Sequence, residues 1–279
     1  MDKKEEFYII DTHAHYDDDA FNEDRDELLN ELNAACIKRV VNIAASMESA
    51  ESSLLLAHKY DFVYAALGVH PSFGEEINSE SIAKLEKMLS DEKCVAIGEI
   101  GLDYYYDEPQ RQIQKEAFIA QLELAKKYDY PVVIHSRDAA KDTLDILKEF
   151  EGVKGVIHCY SYSKEMAREF IKLGYVLGIG GVVTFKNAKK LEETVEDISF
   201  DDFVLETDCP YLSPVPNRGK RNTSLNLTYV IDRISEIKGV SRDFIIEKTF
   251  ENARKLYFHL CTRKNKYRAT PRIALSESK

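Results

Sequence analysis

Short apolar runs recur along the chain, and most of them end in a polar or glycine-containing segment. The runs are four to eight residues long, are rich in Val and Ile, and lack a clean alternation of polar and apolar positions. Parallel strands that are covered on both faces show this pattern. It predicts eight strands, at residues 7–10, 39–44, 62–69, 94–97, 131–134, 153–157, 175–179 and 203–206.

The stretches between these runs have the spacing of amphipathic helices. In the stretch 23–38, for example, Leu28, Leu29 and Leu32 share one helical face. Ser79 is predicted to cap the third helix. The predicted helices lie at residues 23–38, 48–60, 79–90, 110–128, 138–150, 163–173, 187–196, 225–237 and 241–260.

Together these elements indicate an α/β fold, because eight strand–helix units in about 260 residues are typical of a TIM (β/α)8 barrel. The alternative, a doubly wound sheet, normally has a Gly-rich first turn, whereas residues 11–15 here read Asp-Thr-His-Ala-His. No linker divides the chain. We therefore expect a single barrel domain at residues 1–262, followed by a basic and peripheral tail at residues 263–279.

Composition narrows the class of protein. The net charge of −11 argues against a broad nucleic-acid-binding surface, but it leaves room for an enzyme that grips a few phosphates locally. One loop segment, Arg218–Arg221, concentrates three cations in four residues. The five cysteines are odd in number and form no Cys-x-x-Cys motif, which favours a reduced, cytoplasmic protein.

We expect no membrane partner. No apolar stretch approaches the roughly 18 residues that a transmembrane helix needs. The charged start of the sequence, Met1–Glu6, lacks the apolar core of a signal peptide. No obligate protein partner is evident either.

Histidines gather at the predicted strand ends. Residues two apart in a strand point the same way, so His13 and His15 present two imidazoles on one face. The carboxyl ends of barrel strands converge on one mouth, where barrel enzymes keep their chemistry. Four imidazoles and two carboxylates there suit two divalent cations, with a carboxylate bridging ions roughly 4 Å apart. The side chains that meet are His13, His15, His135, His158, Glu99 and Asp208.

With these motifs in place, the chain resembles the TatD family of metal-dependent hydrolases, a branch of the amidohydrolase-like barrels. The resemblance implies a barrel with two divalent ions, and several family members hydrolyse DNA, often as 3′–5′ exonucleases. The matching stretches are ordered along nearly the whole chain, at residues 11–15, 68–71, 98–104, 135–137, 158–159, 206–212 and 216–222.

The resemblance also implies individual roles. His13 and His15 would hold the first ion with Asp208, and Glu99 would bridge the two ions. His135 and His158 would hold the second. One departure stands out, because the family commonly continues the Arg-Gly-Lys-Arg-Asn stretch with Glu-Pro, whereas this chain has Thr223-Ser224. That departure leaves open how the last loop is anchored.

Other residues at the predicted mouth receive supporting roles. His70 is expected to contact the substrate, and Arg218 and Lys220 to neutralise a phosphate charge. Asp11, Asp103 and Glu206 are candidates for residues that orient the metal ligands. Tyr104, Tyr105 and Tyr106 are candidates for stacking on bases, with packing as the alternative.

The expected reaction is hydrolysis of a DNA phosphodiester by metal-activated water, with Asp208 as general base and Glu99 as the second catalytic carboxylate. The alternative keeps the same centre and changes the bond, to the ester of a D-aminoacyl-tRNA or another carboxyl ester. DNA, or another nucleic acid with phosphates, is therefore the expected partner. Mixed His and carboxylate ligands fit zinc, manganese, iron or nickel, and magnesium less well.

Overall fold

A computed structural model of the protein describes residues 8–35, 37–106 and 108–258. Its eight strands are all parallel and follow one another in chain order around a single sheet. The strands are β1 Ile9–Ala14, β2 Ile37–Ile43, β3 Val63–Ala66, β4 Cys94–Asp103, β5 Val132–Arg137, β6 Gly155–Ile157, β7 Tyr175–Ile179 and β8 Phe203–Leu205.

The sheet closes on itself between the first strand and the segment after the last. Asp208 N donates to His13 O at 2.9 Å, and His15 N donates to Cys209 O at 2.8 Å. Lower in the same seam, the Thr12 hydroxyl donates to Leu205 O at 2.9 Å. The predicted TIM barrel is thereby confirmed, with its mouth at the carboxyl ends of the strands.

Helices follow the strands and cover the outside of the barrel. Residues 254–258 continue the last helix as a π-helical turn. The helices are α1 Arg25–Ala34, α2 Met47–Lys59, α3 Ser79–Met88, α4 Arg111–Tyr128, α5 Ala140–Glu149, α6 Lys164–Lys172, α7 Lys189–Asp197, α8 Leu227–Lys238 and α9 Arg242–Ala253.

Two details of the predicted elements are corrected. The cap of α3 is Asn78 instead of Ser79, because the Asn78 side chain accepts hydrogen bonds from the amides of Glu80 and Ser81. β4 runs six residues beyond its predicted end at Ile97. Glycines allow this, since a Cβ at residue 98 would lie 2.5 Å from Cβ of Val133 in β5.

The core has two layers of apolar side chains. The larger layer lies between the strands and the helices. The smaller layer draws side chains from seven of the eight strands and includes Tyr257, fully buried in the turn after α9. Side chains from that many strands meet only inside the barrel, so this layer fills its interior.

No helix within the described ranges is long and apolar enough to cross a membrane. The predicted tail at residues 263–279 and the predicted end of the last helix, at 259–260, lie outside the described residues.

Candidate metal centre at the barrel mouth

Glu99 lies at the centre of the mouth, in β4, and is 3% exposed. Its two carboxylate oxygens face different histidines. Oε2 lies 3.4 Å from Nε2 of His13 and 3.8 Å from Nε2 of His15. Oε1 lies 2.7 Å from Nδ1 of His135 and 3.6 Å from Nε2 of His158. One carboxylate thus joins two sets of imidazoles.

The first set is built by β1 and by the turn after β8. Nε2 of His13 and Nε2 of His15 lie 3.1 Å apart, and Asp208 Oδ1 lies 3.5 and 3.4 Å from them. His15 Nδ1 lies 2.8 Å from Ile43 O, so in the neutral ring Nδ1–H donates and the Nε2 lone pair faces the set. Ligand atoms about 2.1 Å from a common cation lie about 3–3.5 Å from one another. The spacing therefore suits a bound cation.

The second set surrounds the other oxygen of Glu99. His135 bridges two carboxylates, since its Nε2 also lies 3.1 Å from Oδ2 of Asp103. His70 approaches from the loop after β3, with Nε2 3.9 Å from Glu99 Oε1. The ligand atoms of His70, Glu99 and His135 lie within 4.8 Å of one another, as do those of His13, His15 and Glu99. A third group, of His13, His158 and Glu206, lies beside these two, so the mouth offers three overlapping groups of side chains that could hold a metal ion.

The electrostatics of the cluster favour added positive charge. Burial alone would raise the pKa of Glu99, but His158 and His13 hold it well below its ordinary value. Burial would lower the pKa of His158, yet Glu206, Glu99 and Asp208 raise it to about 10. The buried carboxylates are therefore stabilised by protonated histidines or by bound cations, and imidazole nitrogens together with carboxylate oxygens suit divalent ions.

His70 differs from the other histidines of the mouth. Its Nδ1 accepts a hydrogen bond from Ser72 N at 3.1 Å, so the neutral ring carries its proton on Nε2, toward the site. Burial, together with the neighbouring His135, lowers the pKa of His70 to about 3. His70 is thus a neutral hydrogen-bond donor that lines the mouth.

Glu206 lies beside the rings of His13 and His158, which stack with centroids 3.6 Å apart. Its Oε1 accepts from Cys159 N at 2.6 Å and lies 3.2 Å from His158 Nδ1. Room for this carboxylate depends on Gly178, because a Cβ there would lie 2.0 Å from Glu206 Oε2. The predicted orienting residue is therefore in place to set the direction of His158.

Asp11, the third residue of β1, is fully buried but binds backbone and hydroxyl groups. It accepts from the amides of His13 and Thr207 and from the Thr207 hydroxyl, at 3.3, 3.1 and 2.6 Å. It also accepts from Ser224 Oγ at 2.5 Å. Burial raises the pKa of Asp11 to about 7. Asp11 thus fixes the backbone that carries His13 and the seam beside it.

Ser224, where the family commonly has Pro, anchors the last loop. Its hydroxyl donates to Asp11, and its amide donates to the Tyr16 hydroxyl at 2.9 Å. Tyr16 OH lies 2.8 Å from Ser224 Oγ, so it donates there in turn. Two residues earlier, the buried Asn222 side chain donates to the carbonyls of Thr207 and Tyr211. Buried hydrogen bonds therefore replace whatever anchor Glu-Pro provides.

Above the histidines lies an open cavity of about 920 Å³. Its wall on the β1–β2 side is acidic, with Asp17, Asp18, Asp19 and Glu48. On the β4–β5 side it is lined by Asp103, Tyr106, His135 and the cavity's one described cation, Arg137. No role was predicted for Arg137 from the sequence, although His135 and Arg137 are two apart in β5 and strand periodicity points both side chains the same way. The two sides of the cavity thus differ in charge.

The loop cations Arg218 and Lys220 are exposed but do not line this cavity. Arg218 stacks on Phe185 at 3.8 Å from the ring centroid. Arg221, the third cation of the segment, is held by Asp24 and Ala20 O. The structure therefore leaves Arg218 and Lys220 outside the cavity, available to a longer ligand.

The remaining candidates are three tyrosines at the mouth and two cysteines beside the metal-binding residues. Tyr104 packs, since its hydroxyl donates to Asp142 at 2.8 Å, whereas Tyr105 and Tyr106 are more than half exposed. Burial raises the thiol pKa of Cys159 and Cys209, as expected of packing residues and not of nucleophiles.

Comparison with known proteins agrees with this geometry. The family described as TatD related DNase matches residues 10–258. The metal-dependent hydrolase YabD of Bacillus subtilis is 41% identical over 251 residues, which cover 89% of this chain and 98% of YabD. The metal-dependent hydrolase TatD of Mycobacterium tuberculosis is 33% identical over 261 residues, 89% of this chain and 97% of the relative.

A solved structure resembles the fold equally well. The crystal structure of YjjV, a TatD homologue from Escherichia coli K12, aligns with a TM-score of 0.85 at 32% identity. The alignment covers 90% of this chain and 98% of YjjV.

Proposed function

Since the chain belongs to the TatD-related DNase family and is a metal-dependent hydrolase of that type, we propose that it hydrolyses phosphodiester bonds of DNA, in the manner of a 3′–5′ exonuclease. The observation that carries the proposal is the division of the Glu99 carboxylate between two sets of imidazoles. A carboxylate in this position can be shared by two ions roughly 4 Å apart, the spacing of two-metal hydrolases.

In this proposal His13, His15 and Asp208 would hold the first ion, His135 and His158 would hold the second, and Glu99 would be a ligand shared by both. Bound divalent ions supply Lewis-acid polarisation of the phosphoryl oxygen and make water more acidic. Glu206 and Asp103 orient His158 and His135 through the contacts described above. Asp11 keeps the β1 backbone in position.

Asp208 accepts the proton of the attacking water. Burial would raise its pKa, but His158 and His15 hold the pKa below its ordinary value, so the carboxylate is ionised at neutral pH. Its side chain is 16% exposed and lines the cavity, which gives water access to it. Asp208 also has a backbone φ of 60°, a left-handed conformation that aspartate tolerates better than most residues.

Substrate contacts come from the cavity and the loop beyond it. His70 donates from Nε2 to a phosphate oxygen or to the leaving group. Arg218 and Lys220 bind phosphates outside the cavity, as their exposure and the charge of a nucleic acid favour.

A second candidate is hydrolysis of a carboxyl ester such as a D-aminoacyl-tRNA. The acidic wall formed by Asp17, Asp18, Asp19 and Glu48 favours it, because those carboxylates suit the free ammonium group of an aminoacyl ester. The cysteine pattern supports a cytoplasmic location for either activity.

One experiment separates these activities. The protein is loaded in turn with zinc, manganese, nickel, iron and magnesium, and assayed on a labelled single-stranded oligonucleotide and on D-aminoacyl-tRNA, with Glu99→Gln as control. We expect two ions per chain by elemental analysis and cleavage of the oligonucleotide that Glu99→Gln loses. Turnover of the tRNA ester alone would replace the proposal with the second candidate, and a maximum of zero bound ions would refute both.

A further inference from the structure

Arg137 ends β5 at the rim of the cavity, with its guanidinium carbon 3.8 Å from the centroid of Tyr105 and 5.6 Å from that of Tyr106. Tyr105 and Tyr106 are 58% and 54% exposed, and their rings meet edge to face. An aromatic face supports a guanidinium without using its N–H donors. Arg137 is therefore held in place, and its guanidinium donates no hydrogen bond to another residue in the described part of the chain.

Arg137 forms no ion pair with another described residue; the nearby Asp103, whose pKa its charge helps to lower, is paired with His135 instead. Other arginines are occupied in this way: Arg168 by Asp197 and Arg221 by Asp24. Arg137 is also the only Lys or Arg among the described residues that line the cavity. An unpaired guanidinium beside a cluster of metal-binding residues suits an anionic group of the substrate, which it can bind bidentately.

The position of Arg137 indicates which anionic group it meets. It lies two residues beyond His135, or about 6.6 Å further along the strand, toward solvent. That places the guanidinium above the metal-binding side chains, at the height of a neighbouring nucleotide. The acidic wall on the β1–β2 side repels a polyanion, so the strand is guided toward Arg137 and Tyr106.

We infer that Arg137, supported by Tyr105, binds the phosphate next to the scissile one, and that Tyr106 stacks on the base of that nucleotide. This inference rests on the proposed action on nucleic acid. It assigns a nucleotide subsite to the β4–β5 side of the mouth. Stacking is insensitive to sequence because every base offers a π-face, so the subsite accepts any base.

The test compares a long and a short substrate on metal-loaded protein. The variants are Arg137→Ala, Arg137→Lys and Tyr106→Ala. The matched control is Arg111→Ala, which removes a guanidinium stacked at 4.2 Å on Tyr104 but outside the cavity. KM and kcat are measured for a single-stranded oligonucleotide and for bis(p-nitrophenyl) phosphate, which has no neighbouring nucleotide.

We expect Arg137→Ala to raise KM for the oligonucleotide at least tenfold, with kcat/KM for bis(p-nitrophenyl) phosphate and metal content within twofold of the parent. Arg137→Lys should recover only part of the loss, because an ammonium cannot bind bidentately. Tyr106→Ala should raise the same KM about fivefold or more. Arg111→Ala should match the parent. Equal losses on both substrates, or an unchanged oligonucleotide KM, would overturn the inference.

Binding separates this inference from the proposed function. Fluorescence anisotropy with a phosphorothioate oligonucleotide, which resists hydrolysis, gives the affinity of each metal-loaded variant. Binding that Arg137→Ala weakens, in a parent that cleaves no DNA, would support the subsite and refute the deoxyribonuclease proposal. Cleavage by the parent with equal affinity in both proteins would refute the subsite alone. A parent that binds no oligonucleotide would refute both.

Discussion

The floor and the rim of the mouth are built differently. The floor consists of side chains on or directly after strands, buried or partly buried and in contact with one another: His13, His15, Glu99, His135, His158, Glu206 and Asp208. The rim consists of side chains in loops or at strand ends, largely exposed: Tyr105, Tyr106, Arg137, Arg218 and Lys220. The floor is thus suited to chemistry, which needs fixed geometry, and the rim to substrate binding. Substitutions in the two regions should therefore change different constants.

The largest expected effect is in the floor, at Asp208. Asp208→Asn keeps the size of the side chain and one ligand oxygen but removes the base, and asparagine tolerates the left-handed backbone there. Turnover of DNA should fall on the order of 10²–10⁴-fold, the range that general-base catalysis typically supplies. Single-turnover kinetics measure the loss, and elemental analysis should find the second ion largely retained. A variant that keeps its metal and cleaves within a few-fold of the parent would exclude Asp208 as base.

A smaller effect should follow from disturbing the floor indirectly, at Gly178. In Gly178→Ala the new Cβ would overlap Glu206 Oε2, so the carboxylate must move away from His158. We expect metal affinity to weaken about 10–100-fold, as for other residues that orient ligands. Titration with a chelator measures this affinity.

Gly74→Ala is the control for Gly178→Ala, because a Cβ at residue 74 would meet only ordinary contacts at 3.5 Å and beyond. If the two variants bind metal equally well, Glu206 does not set the position of His158.

The sequence predicts the floor of the mouth better than its rim. Residues that can bind metal or transfer protons follow the apolar runs that predict the strands, so His13, His15, Glu99 in β4 and Asp208 after β8 stand out in the chain. The rim depends on how loops fold back, which no periodicity encodes. Arg137 received no role because its support by Tyr105 joins the end of β5 to the loop after β4. Arg218 and Lys220 were predicted from charge alone, and the structure places them outside the cavity.

Local elements show the same limit. The alternation of runs and helices predicted every strand, because burial on both faces leaves a simple pattern. The predicted end of β4 was wrong because Gly98 and Gly101 look like turn residues in the sequence. In the structure these glycines allow β4 to pack closely against β5. The anchor at Ser224 likewise joins residues 213 positions apart.

The smallest expected effect lies at the outer rim. Arg218→Ala and Lys220→Ala should each weaken binding of a single-stranded oligonucleotide a few-fold and leave metal content unchanged. Affinity falls as salt rises, and each lost phosphate contact should make the slope of log affinity against log salt concentration shallower by about 0.7. Anisotropy titrations between low and moderate salt measure the slope.

Lys126→Ala is the matched control for these loop variants, since it removes an exposed cation at the end of α4, at the opposite end of the barrel. A slope that is the same in all variants would show that the loop holds no phosphate, and it would confine substrate binding to the cavity.

The seam between β1 and β8 has a consequence for biosynthesis. Its hydrogen bonds join residues far apart in the chain, such as Thr12 to Leu205, 193 positions on, and Asp11 to Thr207, 196 positions on. A ribosome adding roughly 5–20 residues per second takes about 10–40 s to cover that interval. During this time His13 and His15 exist without Asp208 beside them. The nascent chain therefore contains its first pair of imidazoles well before Asp208 is synthesised. The complete site can form only after the last strand has left the ribosome.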